Sequence, residues 1–147
     1  MSQTTWSGPL QSGDKPAGAV GGPNIGQVLL SQTFLVTFDA TLVQTGSIIM
    51  PASSQIVEIY SDTLVAYNSA TSATLTVGSA AAGTQYVTSV NAKTGGRNTT
   101  THTAAQCTAM ANIGTNVTLF GTVTSVGQPT AGQVRVTIQY VQTTAQN

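Results

Sequence analysis

From position 28 onward apolar side chains recur at every second position, the spacing that lays one face of a β-strand against a core. Val28, Leu30, Phe34, Val36 and Phe38 share a face, interrupted by Gln32, and predict a long strand. Residues 42–50 predict a second, broken at Gly46 and ended by Pro51, which has no amide hydrogen to give to a ladder. Residues 56–66 form a third, apolar on both faces, with Val57, Ile59 and Val65 on one and Ile56, Tyr60 and Leu64 on the other. A strand of that kind belongs at the centre of a sheet or in a subunit interface. Residues 73–77 and 85–90 predict two short strands around the small-residue turn 78–83. The last third alternates cleanly, through Val117, Leu119 and Val123 and then Val134, Val136, Ile138 and Tyr140, with a Gly- and Pro-containing turn at 127–132.

Two segments fall outside this period. Residues 91–101, which carry Lys93, Gly95, Gly96 and Arg97, read as a loop. Thr103-Ala104-Ala105-Gln106 matches a capping box, in which the Thr hydroxyl and the Gln side chain satisfy the first free amides of a helix, and predicts one short helix over 104–112. Cys107 is expected on its inner face, as a small apolar residue. Seven or eight strands at regular turn spacing predict an all-β chain, a β-sandwich of jelly-roll type with one short helix.

Residues 1–26 have no period at all. Gly and Pro punctuate them throughout, and Trp6, Leu10, Val20 and Ile25 are the only sizeable apolar groups. Burying each returns about 1.5–3 kcal/mol, whereas ordering the backbone costs about 1–2 kcal/mol per residue, so the segment is not expected to fold on itself. The chain divides into an extended N-terminal arm, 1–26, and a sandwich domain, 27–147. Within the arm Trp6 and Leu10 flank a Gly8-Pro9 bend, a spacing suited to anchoring on a partner surface.

Composition narrows the function. Four acidic and four basic residues, 5% of 147, leave a net charge of zero, against about 25% charged residues in ordinary soluble domains. Such a surface lacks the self-repulsion that keeps monomers apart and suits a protein that works assembled, with a homo-oligomer, most simply a trimer, as the expected state. It has no basic patch with stacking aromatics, so nucleic acid is not an expected partner. No apolar run approaches the roughly 18 residues of a membrane span, and the N-terminus reads without a secretion signal, so synthesis in the cytoplasm is expected.

Catalytic chemistry finds little to work with. The one histidine, His102, has only Cys107 near it in sequence, and nothing supplies the further ligands of a zinc site. Glu58 and Asp62 lie on the same strand face but about 13 Å apart at roughly 3.3 Å per residue, too far to share a proton or one calcium ion. The glycine-rich stretches lack the Lys-Ser/Thr of a phosphate loop. The expectation is a protein that is not an enzyme, with no cofactor and no metal.

Several segments, Ser7-Gly8-Pro9-Leu10, residues 67–78, Gly83-Thr84-Gln85-Tyr86 and residues 103–116, resemble small structural proteins among the virion genes of tailed bacteriophages. The resemblance implies a head decoration, or cement, protein: a β-sandwich, often trimeric, that binds the major capsid protein on the outer capsid surface of the virion. On that reading Trp6 and Leu10 form the expected grip, and the loop bearing Lys93 and Arg97 the second choice. A head-fibre or tail component would look similar. A carbohydrate-binding sandwich is the other alternative, although the aromatic residues that stack on sugars are few and scattered here.

Overall fold

The structure, a computed structural model, describes residues 11–12 and 26–142. Two four-stranded antiparallel sheets hold the chain. The first has the order β3 (Leu30–Thr37), β10 (Gln133–Gln142), β5 (Ser54–Val65), β8 (Gly96–Thr99). The second runs β4 (Val43–Met50), β9 (Val117–Val126), β6 (Ser72–Gly78), β7 (Val87–Asn91). A separate two-stranded ladder pairs β1 (Gln11–Ser12) with β2 (Gly26–Gln27) antiparallel, and the rest of the N-terminal arm lies outside the described residues.

The alternation read from the sequence sets the core. Val36, Ile59, Val134, Val136 and Ile138 of the first sheet and Leu75, Val77, Leu119 and Val123 of the second are buried in one apolar cluster. Gln32, the polar interruption in β3, stays in the inward row, where its Nε2 donates to the Tyr140 hydroxyl at 3.0 Å.

Four expectations are corrected. Gly46 does not break β4, which pairs with β9 without interruption from Val43↔Thr124 to Met50↔Val117, with Gly46 opposite Gly121. Both positions lack a side chain because Phe34 of β3 occupies the space: a Cβ on Gly121 would lie 2.7 Å from its ring, and one on Gly46 would meet the same ring and the Leu35 backbone. The two sheets therefore meet closely along the β3/β4 seam.

The second correction concerns β5, which is central by position but not apolar on two alternating faces. Its register with β10 slips between Glu58↔Gln139 and Ile56↔Tyr140, leaving Val57 as the extra residue of a bulge. Ile56 and Ile59 consequently both face the core, and Val57 and Leu64 stand about half exposed. Third, the aperiodic segment 91–101 contains strand β8, paired with β5 through Asp62↔Arg97 and Tyr60↔Thr99.

Fourth, Cys107 is exposed. Helix α1 (Ala104–Ala111) starts at the expected capping box, Gln106 N to Thr103 Oγ1 at 3.3 Å and Thr103 N to Gln106 Oε1 at 2.8 Å. The Gln106 side chain also reaches inward, its Nε2 donating to the Thr84 carbonyl and to Thr88 Oγ1. Gln106 and Met110 take the buried stripe, and Cys107 is left at the side of the helix.

The turn between β9 and β10 carries the chain from one sheet to the other rather than closing a hairpin. Tyr67 and Asn68 hold it. The buried Tyr67 ring packs on Gly132, where a Cβ would lie 2.5 Å from ring carbons, and its hydroxyl donates to the Val36 carbonyl at 3.3 Å. Asn68 Oδ1 accepts from the amides of Thr130 and Ala131 at 2.8 and 3.1 Å. Gly127 takes a left-handed φ of 82°, with Ala70 close enough that a side chain there would clash.

Candidate functional site

Three features of the described residues concentrate polar chemistry. The first is a ladder of charge on the outer face of the first sheet. Asp62 of β5 is the register partner of Arg97 on β8 and of Arg135 on β10, so sheet geometry alone brings the three side chains abreast. Arg97 grips the carboxylate with Nε at 2.8 Å and Nη2 at 3.2 Å, and Arg135 Nη2 lies 2.9 Å from Oδ2. The Arg97 guanidinium also stacks 4.4 Å from the centre of the Tyr60 ring. Hydrogen bonds from Arg97 and then Arg135 pull the Asp62 carboxyl down to about 2, against a smaller upward push from burial. Two cations on one anion leave this patch with a surplus positive charge.

Lys93 is spent differently. Its Nζ donates to three backbone carbonyls, Ser69 at 2.6 Å and Ala70 and Thr71 at 3.3 Å, and so caps the turn that precedes β6. Of the sequence-predicted contact residues, Lys93 and Arg97 thus lie in different places, one folded onto a turn and one in the ladder. Trp6 and Leu10 lie outside the described residues.

The second feature surrounds His102. Its Nδ1 is 3.1 Å from the Tyr86 carbonyl, an oxygen that only accepts, so that nitrogen carries hydrogen. Nε2 lies 2.9 Å from Thr100 Oγ1 and 3.6 Å from Glu58 Oε1, and the Thr100 hydroxyl is 2.7 Å from the Ile59 carbonyl. The set ties the segment between β8 and α1 to β5 and to the start of β7. Cys107 is not its partner: it lines, with His102, Gln55, Val57 and Met110, a shallow cleft of about 270 Å³ beside α1.

The third feature is a groove of about 340 Å³ between β7 and β8, the terminal strands of the two sheets on the side away from the closed β3/β4 seam. Val87, Thr88, Ser89, Val90 and Asn91 line one wall, and residues 98–101 line the other. Sequence reasoning missed it because β8 carries no apolar period. The signal available was Thr88, Ser89 and Asn91 around Val90 and the run of Asn and Thr at 98–101, which is indistinguishable from loop composition until β8 is placed opposite β7.

Among the described residues no group of three or more His, Cys, Asp and Glu side chains stands close enough to hold a metal ion. No described helix is long and apolar enough to cross a membrane. Large apolar side chains are exposed instead: Leu29, Leu35, Leu42, Val43, Ile49, Val57, Leu64, Val65 and Val126 are each between 46% and 62% accessible. Leu35 is the register partner of Arg135, so apolar surface and the charge ladder adjoin. Comparison with family models, with curated proteins and with solved structures finds no match to this chain.

Proposed function

We propose that this chain is a structural assembly protein, a homo-oligomer, most simply a trimer, that decorates and stabilises a bacteriophage capsid by binding its major capsid protein from the outer surface. The observation that carries the reading is the treatment of surface charge. The three described cations are each engaged within the chain, Lys93 on backbone carbonyls and Arg97 and Arg135 on one shared carboxylate, while nine large apolar side chains stand about half exposed. That is a surface suited to association and poorly suited to solitary life in solution.

The strand pairing supports a jelly-roll body for this role. Counted from β3, the eight sheet strands pair first with last, second with seventh, third with sixth and fourth with fifth. The remaining contacts, β10 with β5 and β9 with β6, are those made when such a nested ribbon is rolled into two sheets. Jelly rolls build capsid and lectin domains, so the fold accommodates this role without singling it out.

The test joins mass and attachment. Native mass spectrometry at micromolar concentration is expected to give an oligomer, and the chain is expected to co-sediment with capsids of the virus that encodes it. Deleting residues 2–22 is expected to preserve the oligomer and weaken co-sedimentation, with Trp6→Ala reproducing much of that loss. A monomer that ignores those capsids would overturn the proposal.

A further inference from the structure

We propose that the groove between β7 and β8 binds a neutral sugar, a mono- or disaccharide unit, as a function separate from capsid attachment and independent of that reading. The chemistry of the lining selects the ligand class. No ionisable side chain faces the groove, so an ion would enter without a counter-charge. An apolar ligand would cover hydroxyl and amide groups without replacing their hydrogen bonds with water. A polyol meets both conditions.

Which groups are spoken for decides what remains to bind it. Asn91 is occupied, its Oδ1 by the Lys93 amide and its Nδ2 by Thr94, and the Thr100 hydroxyl is held between Ile59 and His102. Thr88 Oγ1 accepts from Gln106 Nε2 at 2.9 Å, which fixes its position and leaves its own hydrogen to give. Asn98 Nδ2 is buried and meets no acceptor among the described residues. Ser89, Thr99 and Thr101 line the groove with hydroxyls that make no bond to the described residues. The free set is therefore the hydroxyls of Thr88, Ser89, Thr99 and Thr101, held on both walls and suited to sugar oxygens, while Asn98 Nδ2 has no surface open to a ligand. An extended peptide added to either strand would engage backbone groups and leave these hydroxyls unused.

The volume, about 340 Å³, is at the small end of ligand sites and fits one or two sugar rings. No aromatic ring lines the groove, so affinity per site is expected in the millimolar range.

The test is a ¹⁵N NMR titration of the full chain with glucose, galactose, mannose, N-acetylglucosamine and lactose, each to about 50 mM, which saturates a site of millimolar affinity. The expected result is saturable movement, with at least one sugar, of the amides of 87–91 and 98–101. Ser89→Trp, which fills the groove from an exposed position, should abolish it. Thr101→Val, which removes one of the free hydroxyls at nearly constant volume, should weaken it. Both variants are checked for unchanged dispersion elsewhere, and Thr99→Arg on the exposed rim replaces either one that fails to fold. No saturable shift with any sugar, shifts elsewhere on the protein, or shifts that survive the filled groove would overturn the proposal.

Discussion

Asp62→Asn keeps the shape of the side chain and removes the one anion that Arg97 and Arg135 share. The Asp62 carboxyl is lowered from 3.8 to about 2, chiefly by its hydrogen bonds with Arg97 and Arg135. At about 1.36 kcal/mol per unit that is at most about 2.5 kcal/mol of linked stability. Asp62 itself is only 11% exposed at its side chain, but Arg97 and Arg135 are 57% and 43% exposed, and screening by water brings the figure nearer 1 kcal/mol. The substitution should therefore cost about 1 kcal/mol at pH 7, plus the repulsion of two guanidiniums left facing one another. The sign follows from linkage. A carboxyl with a lowered folded-state pKa contributes fully above its unfolded value, and the contribution is lost as pH falls through the folded one. Urea unfolding of both proteins at intervals from pH 7 to pH 2 measures this, provided the slopes agree. The wild-type advantage should hold flat from pH 9 to about 5 and shrink between about 4 and 2. A gap that persists unchanged at pH 2, or no gap at pH 7, would refute the assignment of the ladder as the source.

Two further substitutions probe the body. Gly121→Val pushes a side chain into the Phe34 ring, so the melting temperature should fall by roughly 5 °C or more, the equivalent of about 1–3 kcal/mol in a domain of this size. Phe34→Leu in the same chain should recover part of the loss in a double-mutant cycle, and strict additivity would show that the ring is not the obstacle. Lys93→Met strips the cap from three carbonyls and should cost about 1–3 kcal/mol. Hydrogen exchange should speed up first around residues 68–73, and unchanged protection there would mean that the turn holds without its cation.

The parts of this fold written in local sequence were readable, and the parts that depend on distant partners were not. Alternation through Val134, Val136, Ile138 and Tyr140 states which side faces the core, and the Thr103/Gln106 capping box states where the helix starts, because both signals live within a few residues. Strand β8 escaped because Gly96-Arg97-Asn98-Thr99 has no apolar side chain to alternate, and its pairing energy comes from Tyr60 and Asp62, more than thirty residues earlier. The inward-facing Ile56 and Ile59 were misassigned because the bulge at Val57 belongs to the register with β10, far along the chain. The same limit hid the candidate sites. Asp62, Arg97 and Arg135 are unremarkable singly and become a ladder only when three strands lie side by side.

The two seams between the sheets explain why polar chemistry gathers where it does. Along β3 and β4 a pair of missing side chains, Gly46 and Gly121, lets Phe34 lie across the join, and an apolar ring fills the gap. Along β7 and β8 no ring is available, the walls carry hydroxyls and amides, and the sheets part around a groove. Anchors outside the groove hold that separation: the capped helix fixes Thr88 through Gln106, the His102 set fixes Thr100, and Arg97 ties β8 back to Asp62. Each of these contacts spends a polar side chain to stabilise an edge strand that has little apolar surface of its own. The groove's free hydroxyls, on Thr88, Ser89, Thr99 and Thr101, are thereby held on a fixed frame, the condition under which even a weak ligand binds without a further ordering cost.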